Sequence, residues 1–457
     1  MKKLSTNIAS LQGILGNRLK LEEEIRSLHA EDISWHPALL PDAVCYPQDT
    51  EEVAEIVKIC AKHKTPIVPF GAGTSLEGHI IPQRGGISLD MSRMNQVLSI
   101  NPIDKDCVVE AGVKKLVLNE QLKKEGLFFA AGPNIDASLG GIAATAASGA
   151  NAVRYGTARE NIRALRIVTA KGEIMDTGRR VKKHAAGYDL THLMIGSEGT
   201  LGIITEVTAI LHPIPQHAAV AVISFPNMDA AIGAALALGK EGLPLAMLEF
   251  MDETILKMVN TYCQTDYPCL PSLFLELHGE EEMVENYQEK IGKLSSQFGG
   301  SGFKWGTESQ DKEELWKARY NAAYAAKDSR PGGALIPTDV CVPISMLAQC
   351  IREIKEEIQD IPLTLPFLGH VGDGNFHITP CIMEDDPAEV KWMQELNHRL
   401  ICKAQALGGT CTGEHGIGIG KKAYLKEEAG PVAIAIMKSI KKALDPDDIL
   451  NPGKIFD

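Results

Sequence analysis

The chain has 457 residues, enough for two or three domains with cores of their own. Apolar residues make up 44% and charged residues 23%, ordinary for a globular protein, and 59 acidic side chains against 46 basic ones leave a net charge of −13. That balance and an aromatic content of 5% argue against a chain-wide nucleic-acid surface, and no apolar run approaches the ~18–20 residues that span a bilayer.

Residues 1–30 read as an amphipathic helix with a dense charge run, "LEEEIRSLHAED", a solvated lead-in without the apolar core or cleavage site of a signal peptide. Next, "PQDTEEVAEIVKICAKHKTPIVPFGAGTS" reads as helix, strand and glycine turn. Thr50 is expected to cap the helix, with Val53, Ile56 and Val57 on its buried side. "KLVLNEQLKKEGLFFA" is a second helix ending near Gly126. From residue 130 to 212 the chain is rich in Gly, Ala and Ser, which suits a backbone lying against a large ligand. "IRALRIVTAKGEIMDTG" reads as a hairpin, and proline-rich "LHPIPQH" as a domain boundary.

Beyond it, "AVAVISFPNMDAAIGAALALGKEGLPLAMLEFMDE" and "SLFLELHGEEEMVENYQEKIGKL" alternate strand and helix. They predict an α+β domain with helices on one face of an antiparallel sheet. Residues 1–212, 213–410 and 411–457 are the expected divisions, with the active site between the domains. In "FLGHVGDGNFHITP" the Asp373-Gly374 pair predicts a two-residue hairpin that pairs 370 with 377 and 372 with 375. His370, Asn375 and His377 would then share one face, close enough for two imidazoles to hold one divalent cation.

"PFGAGTSLEG" has the glycines of a phosphate-cradling turn without matching a P-loop or a dinucleotide fingerprint. Followed by "GPNIDASLGGIAATAASGANAVRYGT" and "GSEGTLGIITE", it resembles the FAD-binding domain of vanillyl-alcohol oxidase-like (PCMH-type) flavoproteins. "GHVGDGNFH", "GEHGIG" and "NPGKIF", with "LWKARYNAAYAA" and "TDVCVPIS", narrow the resemblance to the branch of D-lactate dehydrogenases and glycolate oxidase large subunits. It covers residue 35 to the C-terminus.

The resemblance implies an FAD-binding domain plus an α+β substrate (cap) domain. It assigns Gly71, Gly73, Thr74 and Ser75 to the pyrophosphate. Gly140, Gly141, Ala144, Ser148 and Gly149 would let backbone approach the cofactor, Gly196, Gly199, Gly202 and Ile204 would line its other side, and Asn451 would contact the flavin edge. The first loop holds no histidine, so non-covalent FAD is expected; His79 falls outside the position that carries the linkage in some relatives. His370, His377 and Glu414 would bind zinc, manganese or iron, His415 would be the general base, and Arg319 would pair with a substrate carboxylate. Asn375 is a further candidate for substrate contact.

The implied activity is oxidation of a small D-2-hydroxyacid, D-lactate first, with electrons passed to an external acceptor: a cytochrome, a quinone or an iron–sulfur protein. The ten cysteines form no CxxC pair, so no iron–sulfur centre is expected in the chain itself. A cytoplasmic protein is expected, with association at the inner face of a membrane and a homodimer left open, and no nucleic-acid partner. The rival readings are the flavin subunit of a glycolate oxidase complex, a metallohydrolase using the same histidines and Glu414, and a flavin-binding subunit without catalysis.

Overall fold

The computed structural model describes residues 2–457. The chain divides into two units. One comprises Met1–Gly149, Gly156–Ile214 and Glu414–Asp457, the other Ala150–Tyr155 and Pro215–Gly413. The short excursion at 150–155 carries no compositional mark, and the last crossing falls at 413/414, between Gly413 and Glu414.

The first unit holds a two-stranded sheet, Leu127–Phe128 with His212–Pro213, and two larger ones. In the smaller of these two, Leu19–Lys20 pairs antiparallel with Ala43–Cys45, which runs parallel to Ile87–Asp90, itself parallel to Ile67–Phe70. The larger is antiparallel throughout, in the order Val97–Asn101, Asp106–Glu110, Ile203–Ile210, Ile162–Val168, Ile174–Asp176. The C-terminal tail returns to the smaller sheet: Ile67 N–H donates to Ile449 O at 2.7 Å and Asn451 N–H to Ile67 O at 2.8 Å.

Two local expectations change. The helix Thr50–His63 is capped by Asp49, whose carboxylate accepts from Glu52 N at 2.8 Å; an aspartate one residue earlier takes the orphan amide that Thr50 was expected to take. The N-terminal segment is no solvated lead-in. Asn7, Leu11 and Leu15 recur every four residues on the helix Lys2–Leu15, so they form one stripe, and they are 0–2% exposed. The two leucines join the core with Val53 and Ile56, and Asn7 donates to Thr65. His29, inside the charge run, is buried with Nε2 2.9 Å from Asp90.

The second unit is built on a seven-stranded antiparallel sheet in the order Ser301–Gly306, His217–Ser224, Ser272–Gly279, Leu245–Met251, Phe367–Gly369, Asn375–Ile378, Val340–Cys341. Helices cover both of its faces. Val220, Val222, Phe274 and Met251 on one face pack with Ile255, Trp316 and Ala322 from the helices Glu253–Cys263, Ser309–Tyr320 and Ala322–Asp328. Residues of the opposite parity, among them Ala221, Leu275 and Phe250, are also buried, with the helices Met228–Lys240 and Glu281–Ser296 against these strands. The one-faced expectation therefore fails. Its warning is in the sequence, since runs such as "LAMLEFM" lack the alternation of a half-solvated strand.

Candidate active site

The first unit contains a pocket lined by three glycine-rich stretches that the fold brings together. The turn after Ile67–Phe70 contributes Gly71, Gly73, Thr74 and Ser75. Gly140, Gly141, Ala144 and Ser148 come from the second stretch, Gly199, Gly202 and Ile204 from the third. A Cβ at Gly71 would collide with Ser138 Oγ, and one at Gly140 would lie 2.7 Å from the Ala111 Cβ, so the backbones themselves meet here. Gly149 and Gly196 stand outside the lining: the first packs on Gly132 O, and the second donates its N–H to Ala143 O at 2.9 Å.

Asn451, Glu414 and His415 line the same pocket. Both Asn451 amide hydrogens are engaged by protein, donating to His79 O at 3.0 Å and Glu198 O at 2.7 Å. Its Oδ1 accepts from Lys454 Nζ at 3.0 Å. Asn451 thus staples the first loop to the third, and what it presents to a cofactor is shape. Glu198, at φ 54°, accepts from Ile417 N and Gly418 N through its two carboxylate oxygens, at 2.8 and 2.9 Å. That fixes the loop carrying Glu414 and His415. Gly416 has φ 82° and a Cβ there would lie 2.7 Å from His79 Nε2, so the position admits only glycine.

Burial raises the cost of charge on Glu198, yet His79 and the two amides hold its pKa below the usual carboxylate value. His79 and Glu198 escaped the sequence reading. The signal was a charged residue inside "GSEGTLG" and a histidine inside "LEGHII", both among residues that pack.

The lining fits a dinucleotide cofactor. It is dominated by small residues that expose backbone, with the Thr74, Ser75 and Ser148 hydroxyls among them.

In the second unit, strand register puts Glu249, Glu276, His278, Asp339, His370, Asn375 and His377 on one sheet face. The histidine hairpin is shifted by two from the expected pairing: Leu368 lies opposite His377, which sets His370 across from Asn375. The turn closes instead through His370 O, which accepts from Asp373 N at 2.9 Å and Asn375 N at 3.3 Å, while Gly374 O accepts from Val342 N at 3.0 Å. The two imidazoles remain diagonal neighbours, ring centroids 5.7 Å apart and nearly perpendicular.

Both rings are held through Nδ1. His377 Nδ1 lies 2.8 Å from Thr338 O, a carbonyl that can only accept, so this nitrogen carries the proton. His370 Nδ1 lies 2.7 Å from Glu249 Oε1. Burial disfavours the Glu249 carboxylate, but His370 and Arg319 outweigh it and lower its pKa, so it too acts as an acceptor. In the neutral rings the lone pair is then on Nε2, the arrangement that outer hydrogen bonds impose on metal-ligating histidines. The donor set fits a divalent transition metal.

Arg319 binds the other oxygen of Glu249 through Nε at 2.8 Å and Nη2 at 2.7 Å. Its side-on edge is therefore engaged and its Nη1 edge is left for a second carboxylate. Trp316, one helical turn earlier, donates from Nε1 to Glu276 Oε2. Asn375 gives both amide hydrogens to protein, to Asp339 Oδ1 and Val340 O at 2.7 Å each, so only its carbonyl oxygen could serve a ligand. Asp339 also accepts from Thr412 Oγ1 at 2.6 Å and Gly413 N at 2.9 Å, anchoring the chain up to its crossing at Glu414. Glu249 and Asp339 were missed as site residues; a lone carboxylate inside "LAMLEFM" had to be paired to be buried.

Comparison with known proteins agrees with these features. Residues 41–178 match the family described as FAD binding domain, and residues 214–455 match FAD linked oxidases, C-terminal domain. The chain is 43% identical to a probable mitochondrial D-lactate dehydrogenase of Danio rerio, over 98% of this chain and 91% of that protein. It is 42% identical to the mitochondrial D-lactate dehydrogenase [cytochrome] of Arabidopsis thaliana, over 98% and 80%. It is 33% identical to glycolate oxidase subunit GlcD of Bacillus subtilis, over 94% and 92%. Among solved structures, 4-ethylphenol oxidase from Gulosibacter chungangensis aligns with a TM-score of 0.84 at 21% identity, covering 100% of this chain and 97% of that one, which is a likeness of fold.

Proposed function

The chain belongs to the family of FAD-linked oxidases, and on that premise we propose that it oxidises a small D-2-hydroxyacid, D-lactate first, to the 2-oxoacid. The observation that carries this reading is the sheet face on which two imidazoles are locked through Nδ1 beside Arg319, itself held by Glu249. Near-full-length likeness to D-lactate dehydrogenases supports the substrate. Glycolate oxidation by a flavin subunit is the more distant alternative, and the flavin-binding half sets the metallohydrolase aside.

The three glycine-rich stretches would hold FAD non-covalently, and the flavin would supply the hydride acceptor when bound. A divalent metal, zinc, manganese or iron, would be held by His370, His377 and Glu414 and would supply Lewis acidity towards the hydroxyl. His415 would take the hydroxyl proton as general base. Arg319 receives the substrate carboxylate on its Nη1 edge, and Glu249 keeps the guanidinium in place while orienting His370. Electrons leave to an external acceptor, a cytochrome before a quinone or an iron–sulfur protein. No helix among the described residues is long and apolar enough to cross a membrane.

Specificity for a monocarboxylate follows from what is missing around the second charge. The related D-2-hydroxyglutarate enzymes carry a lysine where this chain has "PTD" at 337–339 and a threonine where it has Ala323; Lys327, the cation that could substitute, is exposed. An unpaired buried carboxylate is costly. The test is kcat/KM for D-lactate, L-lactate, glycolate and D-2-hydroxyglutarate with an artificial electron acceptor. D-lactate is expected to lead; a preference for L-lactate or the dicarboxylate rejects the assignment.

A further inference from the structure

The sheet face that carries Glu249 also carries a second acid–imidazole pair. On the strand Ser272–Gly279, Glu276 and His278 are two residues apart and so point to the same side. His278 Nε2 lies 2.6 Å from Glu276 Oε1, and the other carboxylate oxygen accepts from Trp316 Nε1. The pair is largely buried, with 12% of the Glu276 side chain and 7% of the His278 side chain exposed. Each acid therefore holds one imidazole and one side chain of the helix Ser309–Tyr320: Glu249 takes His370 and Arg319, and Glu276 takes His278 and Trp316. Only the first set has a part in the chemistry proposed above.

The second set does not end at its histidine. An ionised carboxylate only accepts, so His278 carries a proton on Nε2, and in the neutral ring Nδ1 is an acceptor. The Tyr155 hydroxyl, 2.7 Å from Nδ1, is then the donor. The bonds run in one direction, from Tyr155 to His278 to Glu276, with Trp316 donating to the same acid. Tyr155 is the last residue of the excursion at 150–155, after which the backbone returns to the first unit at Gly156, with φ 79°. Val153 in the same excursion lies against the histidine hairpin: a Cβ at Gly372 would be 2.8 Å from Val153 Cγ2.

Trp316 and Arg319 are three positions apart on one helix, so they share a face. Glu249 fixes only the far end of the Arg319 side chain. Where the helix itself sits on the sheet is set by Trp316, 4% exposed and packed in the core of the unit. An arginine held at its tip alone still turns its Nη1 edge when the helix beneath it shifts. We propose that Tyr155, His278 and Glu276 are positioning residues for substrate binding: they lock Trp316 to the sheet and so fix the direction in which Arg319 presents its Nη1 edge to the substrate carboxylate. They act through Arg319 and not on the reacting atoms. The inference rests on the reading of Arg319 as the residue that binds that carboxylate.

The experiment uses the holoprotein with Tyr155→Phe, which removes one oxygen, and Glu276→Gln, which keeps the shape of the acid. The substrates are D-lactate and its neutral amide, D-lactamide. Neither residue lines the flavin pocket, so both variants are expected to keep FAD. The KM for D-lactate is expected to rise about tenfold with kcat within about twofold of wild type, the pattern of lost binding rather than lost chemistry. D-lactamide brings no carboxylate to Arg319 and is expected to lose less than about twofold in kcat/KM, so the preference for the acid over the amide falls. A role in fold stability alone would move both substrates alike, and that result overturns the proposal. So does an unchanged KM for D-lactate in Tyr155→Phe, which decides alone if Glu276→Gln does not fold. A wild-type protein that does not prefer D-lactate to its amide would instead reject the assignment of Arg319 itself.

Discussion

Glu249 and His370 share a hydrogen bond of 2.7 Å at the centre of the second unit's sheet, and the other oxygen of the same carboxylate holds Arg319. One fully buried acid thus orients a metal-ligand candidate and a substrate-carboxylate candidate together. Glu249→Gln is expected to lower metal affinity by about 10–100-fold, the usual effect of losing an outer carboxylate. Glu249→Ala also strands the guanidinium and is expected to destabilise the fold by about 3–5 kcal/mol. Metal titration and thermal unfolding read the two effects; unchanged metal affinity in Glu249→Gln would show that the carboxylate serves packing alone.

Metal and base should separate by mutation. His370 and His377 lie in the second unit, whereas the flavin pocket is lined by the first. His370→Ala and His377→Ala are expected to lose bound metal and activity and to keep FAD. His415→Asn should keep both and slow flavin reduction by about 10²–10⁴-fold, the contribution of a general base. Elemental analysis finding no metal in active wild-type protein would reject the metal scheme.

The flavin should leave on acid precipitation. Gly71–Ser75, the loop where some relatives carry the linkage, has no histidine, and of the two histidines that line the pocket His79 lies against Glu198 while His415 is the proposed base. A yellow pellet after denaturation would contradict the non-covalent assignment.

Asp252 gives a pH dependence with a definite sign. Burial lifts its pKa to about 7, although its carboxylate caps the helix Glu253–Cys263 by accepting from Ile255 N at 2.9 Å. The folded state binds the proton more tightly than the unfolded chain, whose value is about 3.9. The stability this contributes is fully present below about pH 4 and is lost as pH rises through 7. Asp252→Asn keeps a good cap and cannot ionise. It is expected to be the more stable protein at pH 8, by an amount on the order of 4 kcal/mol at about 1.4 kcal/mol per pKa unit. Denaturant unfolding of both proteins from pH 4 to 8 measures the difference, and parallel curves would refute it.

Much of the site was legible because its signals are local. The glycines at 71, 73, 140, 141, 199 and 202 announce backbone that must approach something, and all six line the pocket. The period of two in "GHVGDGNFH" put His370 and His377 on one face, and that survived even though the pairing moved by two residues. It survived because the shift was even; a one-residue slip would have sent the two histidines to opposite faces, and the pairing also involves the strand Val340–Cys341, more than thirty residues earlier.

By itself the sequence determined that a flavin-sized, glycine-lined pocket and a two-histidine sheet face exist. Those features follow from residue type and from spacing along a few consecutive positions. Tertiary structure alone decided which buried charges meet. Glu249 joins Arg319 and His370 across 70 and 121 positions, and Glu198 holds the Ile417–Gly418 amides across 219 and 220. A carboxylate can be buried only beside its partners. Sequence can therefore say that such a residue must be paired, while only the folded chain, by the cost of leaving it unpaired, selects the partner.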